Sequence, residues 1–138
     1  MFFKKNKAEI EDENLINISA LLIHAAKIDQ DFSDKEEEII EQTLLKIGAK
    51  KDDLKKIIEN AKKIEKDSNQ ILNFTKEVKN MNEENKIKII EALWQIIYSN
   101  NDADIYETSL MRRLGGLLYI DSKTMGDIKE RIKEKNLQ

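Results

Sequence analysis

The chain has 138 residues, no proline, four glycines and no cysteine; 37% of its residues are charged, 40% are apolar, and the net charge is −3 with a pI of about 5.4. That length fits one domain, and the missing cysteines exclude a disulfide framework, a thiol nucleophile and a zinc knuckle. No basic surplus exists to drive nucleic-acid binding through counterion release, and an uncharged stretch such as Ala92–Asn101 is far short of a membrane span.

Lys, Glu, Leu and Ile interleave throughout without proline punctuation, which predicts an all-α protein. Residues 1–12 are polar and read as a flexible or loosely helical segment. The run Met1-Phe2-Phe3-Lys4-Lys5 is too short in apolar residues for a signal peptide. The helical domain is expected over residues 13–135, with a short tail at 136–138. The first helix is expected from about Glu13 to Ile28, with Leu15, Ile18, Leu22, Ala25 and Ala26 on one face. Ser33 with Glu36 three residues on has the spacing of a capping box for the second helix. That helix carries Ile39, Ile40, Thr43, Leu44 and Ile47, and Gly48 supplies its stop.

A third helix from about Asp52 to Lys66 has Leu54, Ile57, Ile58, Ala61 and Ile64 as its apolar stripe, with a solvated Lys/Glu outer face. Ser68 reads as the cap of a fourth helix with Ile71, Leu72, Thr75 and Val78 inward. Asn82 caps a fifth, reaching about Ser99. Its apolar face spans Ile87, Ile90, Leu93, Trp94, Ile97 and Tyr98, flanked by Ile89 and Ile96, and a face so broad predicts the central helix. The sixth carries Leu110, Met111, Leu114, Leu117 and Leu118. Gly115 and Gly116 lie inside it at about 1 kcal/mol each relative to Ala, tolerable where another helix packs close. Asp121 caps the seventh, with Met125, Ile128 and Ile132 inward.

One short acidic turn occurs twice, 71 positions apart: Asp29-Gln30-Asp31-Phe32-Ser33-Asp34-Lys35-Glu36 and Asn100-Asn101-Asp102-Ala103-Asp104-Ile105-Tyr106-Glu107. Each follows an apolar helical run and opens another. Ile16, Ile18, Leu22, Ile23, Ala25 and Ala26 match Ile87, Ile89, Leu93, Trp94, Ile96 and Ile97, and Ile39 and Ile40 match Leu110 and Met111. The expected architecture is therefore a seven-helix bundle built from two related helical hairpins.

Asp29, Asp31, Ser33 and Glu36, and their counterparts Asn100, Asp102, Asp104 and Glu107, form two sets of oxygen donors. Alternating oxygens resemble the first half of an EF-hand loop, but the required glycine is Asp34 or Ile105 and the bidentate Glu is Ile40 or Met111. These are not EF-hands. A weaker or shared site for a divalent cation, calcium first and magnesium as the alternative, is one reading. The other is that the same oxygens only cap helix starts. His24 is the only histidine and is expected to have a structural or surface role, Trp94, Tyr98 and Tyr106 to form a core-to-surface aromatic cluster, and Arg112 and Arg113 to be surface residues, one of them paired with a carboxylate. No phosphate loop, nucleophile elbow or metalloprotease motif is present in the sequence, so no enzyme is expected.

Ala26-Lys27-Ile28-Asp29-Gln30-Asp31-Phe32-Ser33-Asp34-Lys35-Glu36 resembles the first acidic turn of the tellurite-resistance TerB-like family. Ala92-Leu93-Trp94 and Tyr98–Glu107, continuing to Arg112-Arg113, resemble the second, and the similarity covers roughly residues 13–135. The family reads Asp-Gly where this chain has Asp29-Gln30 and Asn100-Asn101, and Asn100 removes one charge from the second turn. The resemblance implies a compact seven-helix domain, a link to tellurite resistance and chemical stress, and divalent metal at the acidic cluster. It also implies action at or near the inner membrane surface, so a cytoplasmic protein, peripheral to that membrane, is expected. Similar domains beside J-domains imply an alternative role as a protein–protein interaction module.

Overall fold

In the computed structural model, the description covers residues 7–27, 33–67, 72–98 and 105–136, with the side chains of 7–12, 72, 73, 77, 105–108 and 136 set aside. Seven α-helices and no strand are found among the described residues: α1 Lys7–Ala26, α2 Asp34–Lys46, α3 Leu54–Asp67, α4 Leu72–Lys79, α5 Glu83–Tyr98, α6 Ile105–Leu117 and α7 Ser122–Asn136. A 3-10 turn, Lys51–Asp53, leads into α3.

α1 begins at Lys7 rather than near Glu13, because Lys7–Asp12 holds no glycine or proline to stop it. It packs against α2, α3, α4 and α5, so the centre of the bundle is shared with α5 instead of belonging to α5 alone. Hydropathy breadth on α5 identified one buried helix. On α1 the continuous run Ile18–Ile23 is buried all round, with Ser19 donating its hydroxyl to the Leu15 carbonyl at 2.7 Å and so satisfying itself within the helix. Thr43 on α2 does the same to Ile39 at 2.8 Å.

On α3, Ile57, Ile58 and Ala61 are buried as expected, but Ile64 is 38% exposed and Glu65 only 8%. At 100° per residue the buried arc centres between Ile57 and Ile58, which places Glu65 near its middle and Ile64 on its flank. On α4, Thr75 and Val78 are buried together with Phe74, which the sequence pattern passed over. Ser68 and Ile71 lie outside the described residues. Met125, Ile128 and Ile132 of α7 all face the core.

The 71-residue offset continues well past the turns. α2 ends in a Schellman motif: Gly48 stands at φ +114°, the Ala49 N–H donates to the Leu44 carbonyl at 2.9 Å, and the Gly48 N–H to Leu45 at 3.3 Å. α6 ends in the same motif at the matching positions. Tyr119 stands at φ +58°, Ile120 donates to Gly115 at 2.9 Å, and Tyr119 donates to Gly116 at 3.4 Å. Leu54, Ile57 and Ala61 of α3 then match Met125, Ile128 and Ile132 of α7. The packing of α3 on α1 repeats as α7 on α5. The repeated unit is therefore three helices, α1–α3 and α5–α7, with α4 between the copies.

Candidate functional site

Ser33 and Glu36 form the capping box that their spacing predicts. The Glu36 N–H donates to Ser33 Oγ at 3.2 Å, while the Ser33 N–H and hydroxyl both donate to Glu36 Oε1, at 2.9 and 2.8 Å. Glu36 is buried, so its carboxylate is turned back over the helix start. Two orphan backbone donors are satisfied reciprocally, and negative charge meets the positive end of the α2 dipole. Asp29, Asp31, Asn100, Asp102 and Asp104 lie outside the described residues. Glu107 falls in α6, with its side chain outside those described. No group of three or more His, Cys, Asp or Glu side chains placed to hold a metal is found among the described residues.

Beside the first turn sits a polar cluster that the sequence did not reveal. Glu65 of α3 accepts a hydrogen bond from Lys27 Nζ at 2.8 Å, and its other oxygen lies 3.4 Å from His24 Nδ1. Lys62 pairs with Glu37 at 2.9 Å across α3 and α2. The nearly buried Glu65 is thus held by two groups from the end of α1, which gives His24 its structural role. The only signal for it in the sequence was a carboxylate inside an apolar stripe.

Trp94 and Tyr98 stack on α5 with ring centroids 5.8 Å apart. Burial, then the nearby Glu130 carboxylate, raises the Tyr98 pKa. Tyr106 lies outside the described side chains. Arg112 and Arg113 are exposed and make no ion pair among the described residues. Lys86 is buried and donates from Nζ to the Leu118 carbonyl at 3.1 Å, satisfying a carbonyl at the negative end of α6.

A groove of about 470 Å3 opens between α5, α6 and α7, with Trp94 and Met125 among its apolar lining, Gly115, Gly116 and Gly126 along its helices, and Arg112 and Lys129 on its sides. Sequence reading placed Trp94 in the core, where it is, but did not show that it lines a groove. Gly115 is explained by close packing, since a Cβ there would lie 3.3 Å from Met125 Cγ. Gly116 has nothing within 4 Å, so the close approach expected of both glycines holds for Gly115 alone.

These features define an all-α protein made of two copies of a three-helix unit, each copy holding one acidic turn. The chain belongs to the family described as Tellurite resistance protein TerB, whose model matches residues 15–130. Neither the curated proteins nor the solved structures contain a significant match to it. No helix among the described residues is long and apolar enough to cross a membrane.

Proposed function

We propose that the chain is a non-catalytic stress protein of the TerB type that binds a divalent cation at its paired acidic turns, calcium in preference to magnesium. The observation that carries this reading is the repeat. Two three-helix units match in sequence phase and in both helix-ending motifs, and the acidic turn recurs at the same helix-to-helix connection in each. The donors are all oxygens, which suits a hard cation. Asp29 and Asp31 supply the first turn; Asn100, Asp102, Asp104 and Glu107 supply the second. Ser33 and Glu36 back the first turn as its cap, and a cation drawing on them competes with that cap. A cation bound only by the folded state stabilises it by mass action. The proposed setting is the cytoplasm, peripheral to the inner membrane surface, with a protein partner.

The completed capping box at Ser33 and Glu36 favours a second reading, an interaction module in which the turns are caps alone. A calcium titration of chelator-treated, isotope-labelled protein separates the two. Saturable amide shifts confined to 29–36 and 100–107, abolished in the Asp31→Ala/Asp102→Ala double variant, support the cation site. A spectrum unmoved by calcium, magnesium, manganese and zinc sinks it. A partner captured equally with and without chelator then supports the interaction module.

A further inference from the structure

We propose that the groove between α5, α6 and α7 binds a small planar aromatic carboxylate. Three independent features converge there. The first is an unsatisfied donor: Trp94 is 3% exposed, lines the groove, and its Nε1–H has no hydrogen-bond partner. A buried indole N–H ordinarily finds an acceptor, and leaving one unpaired is costly. That donor lies just beneath the groove surface, so a ligand oxygen becomes its acceptor once the indole turns toward the groove.

The second feature is held-open space. Gly116 and Gly126 both lie inside helices, where glycine is unfavourable. A Cβ added at either would meet nothing within 4 Å, so neither is required by the packing of this chain, and both line the same groove. The repeat sharpens the point. Their counterparts in the first unit are Leu45 and Lys55, and the counterpart of Trp94 is Ile23. The matching groove, lined by Glu37, Glu41, Lys55, Ile58 and Lys62 among others, is crossed by the Lys62–Glu37 ion pair. The second copy alone combines missing side chains with an aromatic lining.

The third feature is charge. Arg112 is exposed with no ion pair among the described residues, and Lys129 Nζ stands 5.6 Å from the centroid of the Trp94 ring. Asp121 also lines the groove, but both its oxygens already accept from Thr124, at 2.7 and 3.0 Å. The balance favours an anion, and a guanidinium binds a carboxylate through two parallel hydrogen bonds. About 470 Å3 is within the usual range for small-molecule sites. A flat apolar body fills the space above the glycines, and its carboxylate reaches the cations.

The test uses 2-naphthoate as probe, with chelator present throughout so that the outcome is independent of the cation reading. Trp94 is the only tryptophan, so the single indole N–H resonance in a nitrogen–proton correlation spectrum reports the site directly. The expected result is a saturable shift of that resonance, with neutral 2-naphthamide binding about tenfold more weakly. Gly126→Leu fills the groove and abolishes the shift while the thermal midpoint stays level or rises. Arg112→Gln, an exposed change, weakens binding about tenfold. An unmoved indole resonance, equal binding of acid and amide, or wild-type binding by a folded Gly126→Leu protein each overturns the proposal.

Discussion

The two three-helix units share a plan and differ in how it is filled. Where the first unit has Leu44, Leu45 and Lys55, the second has Gly115, Gly116 and Gly126. Where the first has Gly48 to turn the chain out of its helix, the second has Tyr119. The first unit reaches α3 through a 3-10 turn whose leading residue, Lys50, makes no side-chain cap. In the second, Asp121 occupies that place and caps α7 through Thr124. Leu15 lines a small pocket at the end of α2 in the first unit, whereas its counterpart, Lys86, donates to the end of α6. The helix-ending geometry therefore persists while the side chains that fill the space beneath it diverge. Backbone hydrogen bonds define the motif, and more than one residue can supply the left-handed turn it needs. A Tyr does so at an energetic disadvantage, offset only in part by Lys79 Nζ lying 4.8 Å from its ring centroid. Hydrogen bonding to Lys79 also lowers the Tyr119 hydroxyl pKa.

Exchanging residues between the units tests this comparison, and the core exchange comes first in size. Leu44 is fully buried, and Leu44→Ala removes methyl groups from a site with little room to collapse, costing about 2–5 kcal/mol in urea unfolding. A change below that range would mean the first unit is as loosely filled as the second. The reverse exchange, Gly115→Leu, forces side-chain atoms against Met125, whose Cγ would already lie 3.3 Å from a Cβ. Its cost is about 1–3 kcal/mol by the same measurement. A neutral result would show that α7 yields easily.

Turn chemistry gives a smaller effect. Gly48 stands at φ +114°, where L side chains are strained, so Gly48→Ala lowers stability by about 1 kcal/mol or more. Tyr119→Gly has the opposite sign, read as a rise in thermal midpoint. A fall instead would mean that the Lys79 contact outweighs the strain of the left-handed backbone.

The smallest effect is electrostatic and separates the two helix starts. Hydrogen bonds from the Thr124 N–H and hydroxyl lower the Asp121 pKa in the folded state. Its contribution is present above the ordinary carboxylate value and is lost as the pH falls through the lower folded value. Asp121→Asn keeps a competent cap but does not titrate. The variant should therefore lose less stability than the parent as acid is added below about pH 4. Lys50→Ala, at the matching uncapped position, should leave that acid dependence unchanged. Parallel curves for parent and Asp121→Asn would remove the cap's role in the acid response.

Helix number, most of the apolar faces, the capping box at Ser33 and Glu36, and the duplication were legible in the sequence. Each is local, fixed by helical periodicity, by the geometry of one helix start, or by self-similarity along the chain. The same locality explains the misses. Ile64 and Glu65 are neighbours on α3, and only the direction of α1 decides which of them turns inward. Once Glu65 does, His24 and Lys27 become its partners from 38 or more residues away. Gly115 and Gly116 are adjacent and chemically identical, yet Met125 approaches only the first. Trp94 was legible as a core residue, but its unpaired N–H was not, because that depends on every neighbour at once. The sequence by itself determined the helices, the caps at Ser33, Asn82 and Asp121, and the family. Tertiary packing decided which polar groups are buried, which glycines are needed for close contact, and that only the second of two repeated grooves is lined by an aromatic ring, because those depend on distances between helices far apart in the chain.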